Sequence, residues 1–226
     1  MIILERNQNE NARTYSYRVL LYNITHIEFK PDDVINEKDI ADQLNLSRTP
    51  VREALMELVN NGLVKIIPQK GSYISKIDYN IIEESRFFRL TIELAILKMA
   101  CETISDEYIT LLNNNIMQQE LYTKLENMPA LIDLDDQFHE TLFKSVNKEW
   151  SYNVINSQMA YFNRFRFLSL ETLKNETILN QHKTIFNAVK NHDYETASQV
   201  MSQHLGQNNK EKEYMLKKYP DYFTTH

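Results

Sequence analysis

Apolar residues recur at helical spacing most regularly between residues 51 and 59 of this chain. They occupy positions i, i+3, i+4, i+7 and i+8, namely Val51, Ala54, Leu55, Leu58 and Val59. This pattern predicts an amphipathic helix with one buried face. Ser47 or Thr49 can cap its first turn, and Pro50 is tolerated there because that turn makes no intrahelical bonds through its amides. Asn61-Gly62 is a typical helix stop.

The residues before this helix predict two further helices. Apolar positions between residues 14 and 26 are spaced as in a helix, and Pro31 interrupts the pattern. Asn36, followed by Glu37 and Asp39, is typical of a helix start, so residues 37–44 are predicted to form a short helix. Two helices joined by a short turn indicate a helix-turn-helix. Residues 1–12 are polar and are predicted to be disordered or frayed.

β-branched residues are frequent in two short runs, 63–67 and 72–76, on either side of the turn residues 68–71. Such runs predict a β-hairpin. A hairpin directly after a helix-turn-helix is the winged form of that motif, and Lys70 and Gly71 lie at the predicted wing tip. Residues 13–77 are therefore predicted to form a winged helix-turn-helix, in a first domain that spans residues 1–77.

The rest of the chain shows helical periodicity without strand alternation. Six helices are predicted, at residues 80–103, 105–125, 128–147, 149–173, 175–191 and 193–216. Only three glycines and five prolines occur in 226 residues, which favours a helical protein. The predicted fold is mainly α: the winged domain, then an all-α six-helix bundle at residues 78–226. The aromatic residues of segment 161–167 are predicted to lie in the core and to line the dimer interface or a pocket, and Phe87 and Phe88 are predicted to pack.

The formal net charge of −6 argues against nucleic acid until its distribution is considered. Residues 1–78 hold ten Lys/Arg and eleven Asp/Glu, a charge of −1, and residues 48–76 hold five basic and two acidic residues, a charge of +3. Arg48 and Arg52 project together from the first turn of the amphipathic helix. That arrangement suits phosphates and the acceptor edge of guanine. Taken alone, two arginines are better explained as a solvated helix face.

The single cysteine and the absence of long apolar runs limit the compartment. Cys101 cannot form an internal disulfide, which favours a reducing environment. No apolar run approaches the roughly 20 residues of a membrane span, and the first residues do not resemble a signal peptide. We therefore expect a soluble cytoplasmic protein with no membrane partner.

The segment around the amphipathic helix resembles the DNA-binding domain of GntR-family bacterial transcription regulators. The similarity is ungapped over residues 40–63 and includes Ser47-Arg48-Thr49-Pro50-Val51-Arg52-Glu53-Ala54-Leu55. Residues 31–37 resemble the family's Pro-Gly-x-x-Leu-x-Glu segment, with Asp32 in place of the glycine. The resemblance implies that DNA contacts come from the start of the recognition helix, from the wing and from one residue of the preceding helix. These positions are Lys38, Ser47, Arg48, Thr49, Arg52, Lys70 and Gly71.

The second half is similar to the all-helical FCD effector domain of the FadR-type subfamily. Arg89 and Glu93 match an Arg-x-x-x-Glu pattern in the first helix of that domain. A set of one aspartate and three histidines matches its Asp-x-x-x-His…His…His metal ligands: Asp135, His139, His182 and His204. The six predicted helices place the chain nearer the shorter VanR-like branch of this subfamily.

Spacing alone gives weaker support for a metal site. Asp135 and His139, at i and i+4, face the same way from one helix, and His182 and His204 lie on two later helices that can converge on it. Three imidazoles and a carboxylate suit a divalent ion such as Zn²⁺, Mn²⁺ or Ni²⁺. The alternatives are histidines that are solvated or satisfied in the core, or a metal-free regulator in which these four residues surround a pocket.

An octahedral ion held by four protein ligands would keep two positions for water or for an incoming carboxylate. This gives the hypothesis of a small organic acid as effector. Arg89 is expected either to bind the far end of that acid or to pair with Glu93.

These expectations describe a ligand-controlled transcription regulator, with repression as the predicted mode, that binds a palindromic DNA operator as a homodimer. The alternative is a metal-dependent helical-bundle enzyme with an accessory DNA-binding domain. Against it, the sequence places no strong base or nucleophile near the ligand motif apart from Asp136.

Overall fold

The computed structural model of the protein describes residues 1–170, 175–206 and 209–224. The chain divides into two compact units. Unit 1 consists of Met1–Ile82, Gln158–Leu168 and Lys210–His226, and unit 2 consists of Glu83–Ser157 and Ser169–Asn209. The sequence predicted a division after residue 77, and unit 1 also takes in two segments from the second half of the chain. Across the described residues, no helix combines the length and apolarity that a membrane crossing requires.

The first part of unit 1 has the predicted winged helix-turn-helix. Its helices are α1 (Ala12–Thr25), α2 (Glu37–Leu44) and α3 (Arg48–Asn60), and its strands are β1 (Val34–Ile35), β2 (Val64–Ile67) and β3 (Gly71–Ile74). The three strands form an antiparallel sheet in the order β1-β3-β2. Strands β2 and β3 are the predicted hairpin. Strand β1 was not predicted, because two residues are too few to show an alternation.

Both helices of the helix-turn-helix begin and end as their sequences suggest. The Asn36 side chain accepts a bond of 2.9 Å from the Lys38 amide and so caps α2. Ser47 is the N-cap of α3 by position, although its side chain makes no capping bond. Gly62 has a φ of +71°, and the Leu63 amide bonds the Leu58 carbonyl at 2.9 Å. Together these are the features of a glycine-terminated helix end.

The polar N-terminal segment is not frayed, contrary to the prediction from its composition. The Ile2 amide donates to Asn23 Oδ1 at 2.6 Å, and the Asn23 side chain donates to the Ile2 carbonyl at 2.8 Å. Farther along, Arg18 binds the Glu10 carboxylate through two nitrogens, at 2.9 and 2.8 Å. Polar side chains of α1 therefore hold this segment in place, which composition alone does not reveal.

The second half of the chain is helical, as predicted, with more breaks than the sequence showed. Its helices are α4 (Tyr79–Thr103), α5 (Asp106–Lys124), α6 (Met128–Ser145), α7 (Glu149–Gln158), α8 (Ala160–Leu170), α9 (Asn175–Lys190), α10 (Tyr194–Leu205) and α11 (Asn209–Lys218). The described residues thus contain eight helices where six were predicted. Predicted helix 149–173 corresponds to α7 and α8, and predicted helix 193–216 to α10 and α11. Parts of both predictions, residues 171–173 and 207–208, lie outside the described residues.

Helix α8 belongs to unit 1, where it holds the segment that follows the wing. The Tyr161 hydroxyl donates to the Lys76 carbonyl at 2.9 Å and accepts from the Asp78 amide at 2.5 Å. The same segment pairs with the C-terminal residues, because the Ile77 amide bonds the Tyr222 carbonyl at 2.8 Å. Three aromatic rings of α8 are buried in the core of unit 1: Tyr161, Phe162 and Phe165. Phe87 and Phe88 of α4, which were also predicted to pack, are instead 74% and 40% exposed.

Candidate functional site

Three helices of unit 2 bring the four predicted metal ligands together. Asp135 and His139 lie one turn apart on α6, His182 lies on α9 and His204 lies near the end of α10. Helices α9 and α10 pack against each other, and α5 packs against both α6 and α9. The His139 and His182 side chains are fully buried, and those of His204 and Asp135 are 6% and 11% exposed.

The donor atoms of these residues face one another. His204 Nε2 lies 3.2 Å from His139 Nε2 and 3.3 Å from His182 Nε2. Asp135 carboxylate oxygens lie 3.4 Å from His182 Nε2, 3.8 Å from His204 Nε2 and 3.9 Å from His139 Nε2. One ligand atom from each residue lies within 4.8 Å of the other three. Four side chains that are distant in sequence therefore point to one small volume.

These separations suit a divalent ion. Two donors each about 2.1 Å from one ion are about 3.0–3.4 Å apart at right or tetrahedral angles, and about 4.2 Å apart when opposite. The distances given above, 3.2–3.9 Å, lie within this range. Three inward-facing imidazole nitrogens beside a carboxylate also form a donor set that binds borderline transition metals well. The residues therefore fit the predicted ion.

Each histidine makes a bond through Nδ1 that leaves Nε2 directed inward. For His139 the partner is Glu93 of α4, whose Oε2 lies 2.5 Å from Nδ1. Because a carboxylate oxygen accepts, His139 carries its proton on Nδ1 and offers the lone pair of Nε2 to the centre. Phe138 stacks on the His182 ring with centroids 4.2 Å apart, which fixes the orientation of that second ligand.

Glu93 is itself held by Arg89, one turn earlier on α4. Arg89 Nε donates to Glu93 Oε1 at 2.7 Å, and both side chains are buried. Burial acts to raise the pKa of Glu93, but its electrostatic interactions and hydrogen bonds with His139 and Arg89 outweigh burial and lower that pKa to about 2. The carboxylate is therefore ionised under ordinary conditions. Of the two roles expected for Arg89, the pairing with Glu93 is present in the structure.

Amide side chains hold the other two histidines. Gln119 of α5 accepts from His182 Nδ1 at 2.8 Å and donates to Asn115 at 2.7 Å. Gln181 accepts from His204 Nδ1 at 3.1 Å. Sequence reasoning missed all three amides. The only signal was the i, i+4 spacing of Asn115 and Gln119 on one helix face, which is common in helices without a site.

His204 is strongly biased toward its neutral form. Burial lowers its pKa well below 6.5, the neighbouring His182 lowers it further, and Asp135 opposes the shift. A neutral imidazole is the form that binds a metal ion. The electrostatics of the cluster therefore agree with the geometry.

The predicted DNA-contacting residues lie at exposed positions of unit 1. They include the residues at the start of α3, one residue of α2 and two residues of the wing: Ser47, Arg48, Thr49, Arg52, Lys38, Lys70 and Gly71. At the wing, Pro68 and Gln69 occupy the central positions of a turn closed by a 3.0 Å bond from the Lys70 amide to the Ile67 carbonyl. Gln69 has a φ of +63°, as the third residue of a type II turn requires.

Ion pairs make the cationic face smaller than the residue count suggested. Arg52 pairs with Glu37 of α2 at 3.0 Å, and Asp32 pairs with Lys65 at 2.7 Å and with Lys76 at 3.4 Å. Asp32 has a φ of +67°, which explains why the resembling family favours glycine there. Within the described residues, Arg48, Lys38 and Lys70 make no ion pair, so their charges need not leave a partner to contact a phosphate.

Family comparisons agree with both halves of the structure. Residues 17–74 match the family model of bacterial regulatory proteins of the gntR family, and residues 84–207 match that of the FCD domain. Over 200 residues the chain is 32% identical to the HTH-type transcriptional repressor RspR of Escherichia coli K12, covering 88% of each chain. It is 28% identical over 202 residues to an HTH-type regulator of Streptomyces ambofaciens, covering 89% and 84%.

Solved structures share the fold. Escherichia coli McbR/YncC superimposes with a TM-score of 0.76 at 17% identity, covering 93% of this chain and 99% of that one. A GntR regulator from Rhodococcus sp. RHA1 has a TM-score of 0.70 at 20% identity, covering 90% and 97%. The alternative of a metal-dependent enzyme does not hold, because the family and these relatives are transcription regulators. The chain belongs to the GntR family of bacterial transcription regulators, in the FadR-type subfamily that carries an FCD domain.

Proposed function

We propose that the protein is a metal-dependent, effector-controlled repressor. The observation that supports the proposal is the convergence of one carboxylate and three Nε2 atoms in the FCD half, with each of the three rings held through its Nδ1. The relative RspR is named as a repressor, which favours repression for this chain. Residues 1–77 would bind DNA, and residues 78–226 would bind the metal and effector and form the dimer. A DNA operator as target makes the bacterial cytoplasm the site of action.

Asp135, His139, His182 and His204 would hold a divalent Zn²⁺, Mn²⁺ or Ni²⁺ ion. Bound there in octahedral geometry, the ion would supply two further coordination positions, which suit the carboxylate of a small organic acid. Glu93, Gln119 and Gln181 keep the three imidazoles in the tautomer that the ion requires. These outer contacts support the ligand role over a set of histidines that merely line a pocket.

Arg89 is the proposed cation for the far end of the acid. Its charge acts on the cluster, because it contributes to lowering the pKa of His204. Its Nε bond to Glu93 orients the planar guanidinium on α4, and a guanidinium in fixed orientation suits a carboxylate. Arg89 would then link the effector to α4 through the same residue that anchors His139.

On the DNA side, two chains would bind a palindromic operator, one α3 in each half-site. Ser47, Thr49 and the wing residues Lys70 and Gly71 would contact phosphates and set the register, as would Lys38. Arg48 and Arg52 would read base edges. The ion pair with Glu37 fixes the direction of the Arg52 side chain before DNA arrives, which reduces the entropy lost on binding.

Metal content and effector response test the first part of the proposal. The wild-type protein, purified without chelators, should contain a stoichiometric transition-metal ion by mass spectrometry, and His139→Ala should lose it. In anisotropy titrations with an operator selected from random duplexes, citrate and similar acids should change wild-type affinity and leave His139→Ala unaffected. His192→Gln, which lies outside the cluster, is the control. Wild-type protein that binds no ion after incubation with Zn²⁺, Mn²⁺ or Ni²⁺ would refute the metal site.

The DNA assignment has its own test. Arg52→Ala should weaken operator binding by about 1–3 kcal/mol and relax the preference at one base pair of each half-site. Arg13→Ala is the matched control, because Arg13 is also exposed and also pairs with a glutamate, Glu57 of α3. Equal operator affinity for wild type and Arg52→Ala would remove Arg52 from the readout.

A further inference from the structure

Arg164 is a buried cation of unit 1 whose guanidinium is only partly bonded. It lies on α8 and is fully buried. Its Nη1 donates to the Ser75 carbonyl at 2.6 Å, whereas its Nε and Nη2 are buried with no hydrogen-bond partner in the part of the chain that the structure describes. Burial lowers the pKa of Arg164 to about 10, so the side chain is still cationic at neutral pH. A charge and two donor nitrogens are therefore out of water without a matching acceptor.

The two unpaired nitrogens form one edge of the guanidinium. In the plane of an arginine side chain, the hydrogens on Nε and Nη2 point the same way and match the two oxygens of a carboxylate. Two other arginines of unit 1 hold an acid with this same edge. Arg18 binds Glu10 with Nε at 2.9 Å and Nη2 at 2.8 Å, and Arg52 binds Glu37 with Nε at 3.1 Å and Nη2 at 3.0 Å. Arg164 has the same edge but, among the described residues, no acid on it.

Tyr161, the neighbour of the guanidinium, does not supply the missing acceptor charge. Its ring centre lies 4.6 Å from the guanidinium carbon of Arg164. Its hydroxyl already donates to the Lys76 carbonyl at 2.9 Å and accepts from the Asp78 amide at 2.5 Å. Burial raises the pKa of this phenol above its ordinary 10, so Tyr161 is neutral at pH 7. The buried positive charge therefore has a ring beside it and no negative charge.

We propose that the Nε–Nη2 edge of Arg164 binds a small carboxylate. One carboxylate would accept hydrogen bonds from both nitrogens and neutralise the buried charge, as Glu10 and Glu37 do for the exposed arginines. Because Arg164 is fully buried, the acid must be compact, with few atoms beyond its carboxylate, as formate and acetate are. The Ser75 bond and the Tyr161 ring hold the guanidinium in place beforehand, which lowers the entropy cost of binding.

This anion site would act on the segment that follows the wing. Strand β3 ends at Ile74, and the next carbonyl, that of Ser75, is the one that Arg164 binds. An anion on the opposite edge would fix the guanidinium and, through it, that segment. The site lies in unit 1, whereas the proposed metal ligands all lie in unit 2. It therefore needs neither the metal nor the effector of the proposed function.

Thermal unfolding of the metal-free, full-length protein tests the site. Sodium formate at about ten times its dissociation constant should raise the unfolding temperature of wild type by about 3 °C relative to sodium fluoride at equal ionic strength. Arg164→Met should show no difference between the two salts. Arg164→Lys keeps a positive charge without the Nε–Nη2 edge, so its increase should be smaller than that of wild type. Arg13→Met, which removes an exposed charge of unit 1, is the matched control and should respond like wild type.

A titration followed by NMR tests the contact itself and does not depend on the stability of a variant. In isotope-labelled wild type, formate should shift the Nε–H signal of Arg164 downfield along a single-site binding curve, because a charge-assisted hydrogen bond forms there. The Nε–H signal of Arg18 should stay in place, since Glu10 already occupies its edge. An Arg164 signal that does not move, or an equal shift at Arg18, would overturn the proposal.

Citrate distinguishes this site from the metal centre. Citrate is too large for a buried edge and should not stabilise the metal-free protein more than fluoride does, whereas the proposed effector response requires the metal. Equal stabilisation of wild type and Arg164→Met by formate, or stabilisation by citrate as large as that by formate, would refute the Arg164 site alone. A formate response at Arg164 in a protein that binds no metal ion would refute the metal-dependent function and support the Arg164 site.

Discussion

Two buried arginines, one in each unit, have opposite electrostatic surroundings. Arg89 of unit 2 faces the carboxylate of Glu93 at 2.7 Å. Arg164 of unit 1 is fully buried, and its Nη1 donates to a neutral group, the Ser75 carbonyl, at 2.6 Å, with the guanidinium carbon 4.6 Å from the centre of the Tyr161 ring. Within the described residues, its Nε and Nη2 have no hydrogen-bond partner.

The difference shows in the pKa values. The pKa of Glu93 is lowered to about 2 in spite of burial, because its interactions with His139 and Arg89 favour the ionised carboxylate. Burial lowers the pKa of Arg164 from 12.5 to about 10, and Tyr161 only partly opposes it. One buried charge is matched by an opposite charge, and the other is tolerated with a carbonyl and a ring. The first arrangement orients His139, whereas the second ties α8 to the segment after the wing.

Among these predictions, removal of the Arg89 side chain should lower the free energy of unfolding the most. Arg89→Met leaves Glu93 buried without its cation, and loss of one partner of a buried ion pair costs about 3–5 kcal/mol. Urea unfolding of the metal-free protein would measure this loss. Arg89→Lys, which keeps the charge, should lose less. A loss below about 1 kcal/mol for Arg89→Met would mean that the pair contributes little to stability.

Removal of the proposed ion should have the second-largest effect on the stability of the folded state. A metal present at about 100 times its dissociation constant stabilises the folded state by about 2.7 kcal/mol, so dialysis against a chelator should lower the unfolding temperature of wild type. The same treatment should leave His182→Ala unchanged, because the site is already incomplete. If chelation lowers the unfolding temperature of both proteins equally, the stabilising ion is bound elsewhere.

Replacement of Arg164 should change stability far less. Arg164→Met removes a poorly compensated buried charge and fills much of the same volume, which offsets the lost bond to Ser75. The free energy of unfolding is expected to stay within about 1 kcal/mol of wild type. A small increase in stability would also agree with the poor compensation of the Arg164 charge. A loss as large as that of Arg89→Met in urea unfolding would show that Arg164 is well compensated after all.

The smallest effect on stability is expected from the ion pair of Arg18 and Glu10, whose side chains are 32% and 5% exposed. The bond from Arg18 lowers the pKa of Glu10 from 4.5 to about 2. A depressed carboxyl pKa stabilises the fold above pH 4.5, and this contribution is lost as the pH falls toward 2. Glu10→Gln should therefore be slightly less stable than wild type at pH 7 and indistinguishable from it near pH 2. A constant difference between the two unfolding curves over this window would assign the effect to something other than ionisation.

Short-range features of the fold could be predicted because their causes lie within a few residues. The stripe of α3, the Asn36 cap and the hairpin turn all depend on neighbours three or four positions away. The i, i+4 placement of Asp135 and His139 is of the same kind. The break between α7 and α8 was not predicted, because the apolar residues on both sides of residue 159 keep a helical spacing. The branch of the subfamily inferred from six helices stays a prediction.

Only part of the candidate site could be predicted from the sequence, because its other contacts join residues that are far apart in the chain. Its four ligands came from a family resemblance, and the structure shows that they converge. The groups that orient them were hidden, since Glu93 lies 46 residues from His139 and Gln119 lies 63 residues from His182. Glutamate and glutamine are also ordinary residues of exposed helix faces, so no composition signal marks them.

The sequence by itself determined the helical character of the chain, the wing, the family and the identity of the four candidate ligands, because these depend on local spacing and on matched residues. Only the tertiary structure decided which charges are compensated. Arg52 lies beside Glu37, Glu93 beside His139, 46 residues away, and Arg164 beside a carbonyl 89 residues away. Long-range partners follow from how helices pack, and packing is a property of the whole chain.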